Sequence, residues 1–409
     1  MQPRIYQSNA IAAVESAWSN GVRSVLLVAP TGAGKTHMGA MLAASRRTLW
    51  VAHRRELVIQ AAERLRIMVG RENVGVVMPG YPENPSARIQ VGTAQTLLAR
   101  GTPWDADLLV LDEAHHYMAE QFRQLVNAHR GAIMLGLTAT PERCDGKPLG
   151  DIFERMIVAA SYSELLAGGY IVPVRVFRPA VNLGSDIAQD PIDAWERYGD
   201  NDQTIGFFSR VGHAIVARNR WRSRGVPSEN IEAETAKRWR DDVMALFRSG
   251  RVRVLTTVDV LTEGVDIPNA RVALSCRAFL HVSTMLQAYG RVLRPAPGKQ
   301  DAIIIDLCGA TLRHGLPTDD REYSLTGKPI SSPSSAVAGE RESAVFTQRI
   351  AGVEMVMASR GALPADAGPP PPVERRRSSV DVERLRRVSA RHGSEAAQTV
   401  ATIYERMGE

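Results

Sequence analysis

Short apolar runs alternate with helical stretches through the first 140 residues of the chain. Residues 35–44 and 55–69 have the pattern of helices. The runs between and around them are continuously apolar, as strands covered on both faces are. These predicted strands are residues 24–29, 48–52, 89–91, 108–111 and 133–137. Such alternation predicts a parallel sheet with helices on both faces.

A second region of the same kind begins near Pro173. Residues 237–248 predict a helix, whereas residues 182–202 carry few signals and are interpreted as a surface excursion. The candidate strands are residues 204–208, 253–257, 270–275 and 302–306. The fold class is therefore α/β, with two tandem parallel-sheet domains over residues 1–172 and 173–316. A linker-rich, basic and partly disordered C-terminal extension is predicted over residues 317–409.

Composition narrows the class of protein. The 409 residues are 44% hydrophobic and 23% charged, which is typical of a soluble globular protein. No apolar run approaches the roughly 18 residues that a membrane span needs, so we expect a cytoplasmic protein without a membrane partner. Three cysteines far apart, Cys144, Cys276 and Cys308, argue against a disulfide framework or a zinc knuckle.

A net charge of +6 suits a polyanionic partner, although basic proteins need not bind nucleic acid. Arg218, Arg220, Arg222 and Arg224 are interpreted as a solvated charge run. The basic stretches at 375–377 and 384–387 either hold DNA loosely or form a disordered end, and the sequence does not choose between them.

A glycine-rich loop, Gly32-Ala33-Gly34-Lys35-Thr36, follows the first predicted strand and opens a helix. Glycines allow backbone N–H groups to surround phosphate oxygens at a helix N-terminus. Lys35 can neutralise the β- and γ-phosphates of ATP, and the Thr36 hydroxyl can bind Mg²⁺. Ala29 departs from the strictest form of this pattern, which has glycine there. A glycine-rich turn without a ligand is the weaker alternative.

Two carboxylates, Asp112 and Glu113, emerge at the end of the strand predicted over residues 108–111. Open α/β sheets bind ligands at the carboxyl ends of their strands. Asp112 can hold Mg²⁺, and Glu113 can orient and deprotonate an attacking water molecule. An acidic pair in this position can instead cap a helix, but the glycine-rich loop favours catalysis.

Arg291 and Arg294 are three residues apart and share one face of a helical turn. Two guanidinium groups aimed together can stabilise charge on a transferring phosphoryl group. A solvated basic face is the alternative, and Gln287, one turn earlier, favours the catalytic interpretation.

Together these motifs resemble those of superfamily 2 helicases and translocases of the DEAH-box type. The resemblance is to the bacterial and phage group related to the motor subunits of type III restriction enzymes. It covers residues 4–316, about three quarters of the chain. It implies two RecA-like domains with ATP and Mg²⁺ in the cleft between them. The four-cysteine zinc module of some relatives is absent from the sequence, as is a nuclease cluster, so cutting would need a separate protein.

The resemblance also assigns roles to residues that no other pattern singles out. Gln7 is the expected adenine contact. Gly264 and Asp266 are expected to approach the nucleotide. His115, Thr138 and Thr140 are expected to couple the ATP site to the bound nucleic-acid strand. The expected nucleic-acid contacts are His53, Arg54, Thr93, Thr256 and Thr257. The alternative for threonines at strand ends is that they only satisfy local backbone groups, and the alternative for His115 is a packed histidine.

Three hypotheses follow from the sequence. We favour a DNA helicase or duplex translocase that acts on single-stranded or duplex DNA without sequence preference, because small polar groups grip phosphates without reading bases. The alternatives are an RNA-dependent remodelling ATPase and a nucleotide-gated clamp that holds DNA without travelling. The C-terminal extension is a possible contact for a protein partner.

Overall fold

A computed structural model of the chain describes residues 2–100, 105–116, 119–141, 149–260, 267–326 and 350–360. Within this part of the chain, no helix is long and apolar enough to cross a membrane.

The first domain contains a seven-stranded sheet in which every pair of neighbours is parallel. Its strands are β1 (Ser24–Val28), β2 (Thr48–Ala52), β3 (Val74–Val77), β4 (Ile89–Thr93), β5 (Leu108–Asp112), β6 (Ile133–Thr138) and β7 (Arg155–Val158). They lie in the order β3-β4-β2-β5-β6-β1-β7. The helices are α1 (Ile5–Ser19), α2 (Lys35–Ala43), α3 (Arg55–Val69), α4 (Ala94–Ala99) and α5 (Ala119–Ala128).

The second domain also has a seven-stranded sheet, and α6 (Tyr162–Ala167) precedes it. Its strands are β8 (Val174–Pro179), β9 (Thr204–Phe208), β10 (Ser228–Ile231), β11 (Val254–Thr257), β12 (Val272–Cys276), β13 (Ala302–Asp306) and β14 (Met355–Arg360). They lie in the order β10-β11-β9-β12-β13-β8-β14. The helices are α7 (Pro191–Tyr198), α8 (Val211–Ser223), α9 (Lys237–Arg248), α10 (Val282–Tyr289) and α11 (Ala310–His314).

The two sheets have the same strand order when β8 is matched to β1 and each later strand to its counterpart. They differ at one edge, because β7 runs parallel to β1 whereas β14 runs antiparallel to β8. The predicted fold class, two tandem RecA-like α/β domains, is confirmed.

Strand β1 shows why its sequence is continuously apolar. Val25 and Leu27 point into one hydrophobic cluster, and Leu26 and Val28 point into another on the opposite face of the sheet. Successive side chains of a strand point to opposite faces, so a strand covered on both sides needs apolar residues at every position. All of β1 is buried, and its polar loop begins where the strand leaves the core.

The expectation of a surface excursion over residues 182–202 is wrong. Helix α7 lies there, and Ile192 and Trp195 are buried in the core of the second domain. Trp195 Nε1 donates to Thr204 Oγ1 at 2.7 Å. The Asp190 carboxylate caps the helix by accepting from the Ile192 backbone N–H at 3.0 Å. Helix α7 has only eight residues, so its apolar face is too short to produce a clear helical period in the sequence.

Three of the four arginines in the run at the end of α8 form ion pairs within the second domain. Arg220 pairs with Asp190, Arg222 pairs with Glu229, and Arg224 lies 2.7 Å from Glu196. Trp221, between them, is fully buried. The run is therefore solvated only in part, because Arg220 and Arg224 are exposed whereas the pair of Arg222 with Glu229 is largely buried. These contacts give no support to a nucleic-acid surface there.

The chain returns to the first domain after α11. Gly150 N donates to the Leu325 carbonyl at 2.8 Å, and Ser163 N donates to Asp320 Oδ1 at 3.0 Å. Tyr323 and Leu325 pack against the hydrophobic cluster that contains Phe153. Strand β14 then joins the second sheet. The described part of the predicted extension therefore contributes to both domains, while residues 327–349 and 361–409 lie outside the described residues.

Candidate active site between the two domains

A pocket of about 520 Å³ lies between the two domains, at the carboxyl ends of the first sheet's strands. Its volume falls within the range of small-molecule sites in proteins. The first domain contributes the glycine-rich loop and the Asp112–Glu113 pair, and the second contributes Gln287, Arg291 and Arg294. The fold therefore brings together three motifs that are far apart in the sequence.

The glycine-rich loop is held from behind by α1. Gln7 Nε2 donates to the Ala33 carbonyl at 2.9 Å, and the Tyr6 hydroxyl donates to the same oxygen at 2.7 Å. Gly34 has a φ of +84°, and a Cβ there would lie 2.5 Å from Gln7 Nε2. The positive φ therefore favours glycine, and a larger residue would also displace the Gln7 amide that holds the loop. The loop ends where Lys35 and Thr36 begin α2, with both side chains at the pocket.

Gln7 lies beside the pocket, but its amide is already engaged. Besides the bond to Ala33, its Oε1 accepts from the Arg4 backbone N–H at 2.9 Å. Gln7 is also buried. In this structure the side chain braces the phosphate loop, and contact with an adenine base remains a prediction.

The two carboxylates occupy different environments. Glu113 Oε1 accepts from Lys35 Nζ at 3.1 Å, whereas Asp112 Oδ1 accepts from the Glu113 backbone N–H at 3.1 Å. Burial and then the neighbouring Glu113 charge raise the pKa of Asp112 to about 7. Glu113 itself adopts a φ of +50°, which is uncommon for a residue other than glycine. A buried carboxylate of this kind is stabilised by a cation.

Replacing Asp112 with asparagine is expected to stabilise the nucleotide-free protein at pH 8. Because the folded-state pKa lies above the unfolded value, the Asp112 contribution is fully present below about pH 4 and is lost as the pH rises through 7. The midpoint of thermal unfolding should rise by a few degrees at pH 8, and the difference from the parent should shrink towards pH 4. Equal unfolding midpoints for the variant and the parent at pH 8 would contradict the raised pKa of Asp112.

The residues predicted to couple ATP and nucleic acid form one buried chain of contacts. His115 Nδ1 lies 2.9 Å from Thr138 Oγ1, and the Thr138 hydroxyl donates to the Thr140 carbonyl at 2.6 Å. Since that hydroxyl proton is already committed, His115 Nδ1 must be the donor to Thr138. His115 Nδ1 also lies 3.6 Å from Glu113 Oε2. The ends of β5 and β6 are therefore connected beside Glu113.

The second domain closes directly on the phosphate loop. A Cβ placed on Gly32 would lie 3.5 Å from Arg294 Cγ, so the Arg294 side chain covers this glycine. A Cβ placed on Gly290 would lie 2.6 Å from Thr31 Cβ. The backbone of the second domain at Gly290 therefore meets the phosphate loop at Thr31 without space for a methyl group. Gln287 and Arg291, on the same segment, are both buried.

We expect Gly290→Ala to hold the two domains apart. Its backbone φ of −58° accepts alanine, but the added Cβ would lie 2.6 Å from Thr31 Cβ and 2.7 Å from the Leu286 carbonyl oxygen. The effect should therefore combine a clash between the domains with one inside the turn that ends α10. ATP turnover should fall by at least about tenfold, because a misplacement of 1 Å can cost about 100-fold in rate.

Gly212→Ala is the matched control for this variant. A Cβ at Gly212, near the start of α8, meets no atom within 4 Å. Steady-state ATPase rates of both variants would be compared with the parent at saturating ATP. A Gly290→Ala rate equal to that of the control would show that this contact is not needed.

The predicted nucleic-acid contacts divide into two groups. His53, Arg54 and Thr93 lie at the carboxyl ends of β2 and β4, which are neighbours in the sheet. Arg54 is exposed and His53 is half-buried, whereas the Thr93 hydroxyl accepts from the Thr96 backbone N–H at 3.2 Å and so caps α4. This edge of the first domain can receive a phosphate backbone.

Thr256 and Thr257 do not lie on the surface, contrary to expectation. Both residues are fully buried. The Thr256 hydroxyl donates to Asn230 Oδ1 at 3.0 Å, inside the domain. Strand β11 is covered by α8, so the side chains of both threonines are enclosed within the domain and are not available to a polynucleotide in this structure. Gly264 and Asp266 lie outside the described residues.

Several residues at the site carried no clear signal in the sequence. The Arg4 guanidinium lies 4.4 Å from the centre of the Tyr170 ring, and both residues line the pocket. Gln60 and Arg64 also line it, together with Leu57 and Ala61. The spacing of those four positions on α3 marks one helix face, which could have indicated a shared surface.

Lys299 is another residue that sequence reasoning missed. Its Nζ donates to the Pro268 carbonyl at 3.1 Å and to the Ala270 carbonyl at 2.7 Å. Burial lowers the pKa of this amine to about 7. Because Pro268 lines the pocket, Lys299 supports the wall that the second domain provides.

Comparisons with known proteins agree with this geometry. The type III restriction enzyme res subunit family matches residues 1–143, and the helicase conserved C-terminal domain matches residues 192–296. A candidate mitochondrial ATP-dependent helicase of Schizosaccharomyces pombe, irc3, is 24% identical over 87% of this chain. The DNA 3'-5' translocase XPB2 of Sulfurisphaera tokodaii is 26% identical over 74% of this chain and 81% of its own length. The present chain spans only 65% of the length of the S. pombe relative.

Among solved structures, a fragment of a candidate HsdR subunit of a type I restriction enzyme from Vibrio vulnificus has a TM-score of 0.62. The two chains are 23% identical, and the match covers 77% of this chain and 66% of the other. At that level of identity the likeness shows a shared fold. The two matched family models, in the same order along the chain as the two sheets, identify this protein as a member of the superfamily 2 helicases.

Proposed function

We propose that this protein hydrolyses ATP between its two domains and uses the cycle to move along DNA or to unwind it. The observation that carries the proposal is the composition of one pocket. The phosphate loop, the acidic pair and the arginines of the other domain all line it. A site shared in this way changes whenever the domains move, so hydrolysis and motion are linked.

Two buried polar groups support a nucleotide as the ligand. Thr31 Oγ1 and Gln287 Nε2 have no hydrogen-bond partner among the described residues, and both residues line the pocket. Buried polar atoms without partners are costly, so a polar ligand that pairs with them would stabilise the site. The phosphates and ribose of ATP have the acceptors and donors that these groups lack.

Each side chain at the pocket then has a distinct task. Lys35 binds the β- and γ-phosphates, while Thr36 and Asp112 are the residues that would hold Mg²⁺, which neutralises phosphate charge when bound. Glu113 accepts a proton from the attacking water. Because Lys35 is paired with Glu113 at 3.1 Å, arrival of the phosphates would draw the ammonium away and release the carboxylate for that task.

The second domain adds two guanidinium groups to the pocket. Arg291 and Arg294 would stabilise negative charge on the phosphoryl group as it leaves. Gly264 and Asp266 are proposed to contact the nucleotide from the same side. Opening of the domains after hydrolysis would withdraw the arginines, and closure on a new ATP molecule would return them.

DNA is proposed as the track. The relative XPB2 is described as a DNA translocase. In this chain, Arg54 is exposed at the carboxyl end of β2, where its guanidinium can bind phosphates without reading bases. Contacts from His53 and Thr93 remain predictions. The net charge of +6 favours a polyanionic partner. Contact with a protein partner through the C-terminal extension remains a prediction.

The test is the ATPase rate measured with a panel of polynucleotides at one salt concentration. Single-stranded, duplex and forked DNA would be compared with RNA of matched length. We expect stimulation by DNA that exceeds stimulation by RNA. Preference for RNA would replace DNA with RNA as the substrate, and a rate unaffected by every polynucleotide would contradict a motor function.

A further inference from the structure

Three histidine rings form a stack beside the proposed active site. His53 follows β2, whereas His115 and His116 lie in a short 3₁₀ turn after β5. The ring centroids of His53 and His116 are 4.1 Å apart, and those of His116 and His115 are also 4.1 Å apart. His116 is therefore the middle ring of the three.

The geometry of the stack does not suit a metal site. The rings meet at interplanar angles of 31° and 40°, so they face one another and their nitrogens do not converge on one point. The part of the chain that the structure describes contains no cluster of ligating residues able to hold a metal ion. Contact between ring faces is what the arrangement provides.

The two ends of the stack lie in different functional regions. His115, at one end, contacts Thr138 and lies 3.6 Å from a Glu113 carboxylate oxygen. His53, at the other end, precedes the exposed Arg54 at the edge proposed to bind polynucleotide. His116 thus contacts two residues that have separate proposed roles, although no sequence motif assigned a role to His116 itself.

We propose that His116 is a positioning residue that transmits polynucleotide binding from His53 to His115 and hence to Glu113. This role rests on the proposed function, because it needs a polynucleotide to bind at the His53–Arg54 edge. Close-packed rings cannot shift independently, so a displacement of His53 moves His116. Movement of His115 then changes its bond to Thr138 and the orientation of the Glu113 carboxylate. Energetic coupling between sites travels through contacts of this kind.

The test compares His116→Ala, which removes the ring, with His116→Phe, which keeps a flat ring without nitrogens. ATPase rates would be measured at saturating ATP as DNA is titrated, and DNA affinity would be measured by fluorescence anisotropy. For His116→Ala, we expect DNA affinity and the KM for ATP to stay within about threefold of the parent, while stimulation by DNA falls about tenfold. His116→Phe should keep at least half of the stimulation, and it carries the comparison if the alanine variant does not fold.

His213→Ala, on the second domain's α8, is the matched control and should behave as the parent. A cycle with His53→Ala adds a second test. If the rings act in series, the double variant should lose no more stimulation than His116→Ala alone. Full stimulation of His116→Ala, or additive losses in the cycle, would overturn this role and leave the proposed function standing. A parent that no polynucleotide stimulates would overturn both.

Discussion

Arg294→Ala should lower the ATP turnover number by about 10³-fold or more, whatever polynucleotide is present. The Arg294 side chain covers Gly32 of the phosphate loop, so it is the group from the second domain that lies nearest to this part of the loop. A positive charge supplied there stabilises the phosphoryl group as it leaves. ATP binding should change much less, because the phosphate loop, Lys35 and the carboxylates are intact. Single-turnover hydrolysis and equilibrium nucleotide binding would separate these two effects.

A control arginine makes this result specific. Arg248, exposed at the end of α9, lies in the same domain away from the pocket, and Arg248→Ala should hydrolyse ATP at the parent rate. Arg294→Lys should recover only a small part of the lost activity, since an ammonium lacks the planar fork of a guanidinium. If Arg294→Ala turned over ATP as fast as the control, the second domain would not be part of the active site.

Glu113→Gln should bind ATP and fail to turn it over. Glutamine keeps the shape of the side chain but cannot accept a proton from water, and loss of a general base typically costs about 10²- to 10⁴-fold in rate. The substitution also removes the ion pair with Lys35, which is 3.1 Å long in the parent. ATP affinity should therefore be equal to or higher than that of the parent, as measured by titration with a fluorescent nucleotide.

Glu234→Gln is the matched substitution at an exposed glutamate of the second domain, and it should leave both quantities unchanged. Normal hydrolysis by Glu113→Gln would remove Glu113 from the role of base. Loss of ATP binding together with hydrolysis would instead point to a structural role for the ion pair with Lys35.

Much of the fold could be predicted because burial on both faces leaves a simple trace in the sequence. Strands such as β2 and β9 have no polar residue after their first threonine, and the predicted bounds match the observed ones, Thr48–Ala52 and Thr204–Phe208. Strand β10 was missed because Ser228, Glu229 and Asn230 are polar although buried. Strand β10 is the edge strand of its sheet, and its buried Glu229 forms an ion pair with Arg222. This pairing compensates for the polarity of the glutamate.

The candidate site was predictable where chemistry constrains the residue type. The phosphate loop, the acidic pair and the two arginines need particular side chains, and the pocket contains all of them. Threonines at strand ends lack such a constraint. Thr256 suits a phosphate contact as well as the interior hydrogen bond that it makes to Asn230, and only the packing of α8 over β11 distinguishes the two.

The close contacts between particular residues of distant segments could not be predicted. The approach of Gly290 to Thr31 depends on how the two domains meet, and the stack on His116 depends on the neighbouring turns after β2 and β5. Sequence spacing reports on neighbours within one helix or strand. It carries no information on which turns face each other across a sheet edge or an interdomain cleft.

The central claim is that ATP hydrolysis in a pocket shared by both domains drives movement along DNA. Displacement of a third strand from duplex DNA tests it most directly, with the parent, Arg294→Ala and Arg248→Ala compared at equal DNA occupancy. We predict that the parent and Arg248→Ala displace the strand with ATP, and not with a nonhydrolysable analogue, and that Arg294→Ala displaces none. Displacement by Arg294→Ala at the parent rate, or ATP turnover by the parent without any displacement or unwinding, would contradict the account.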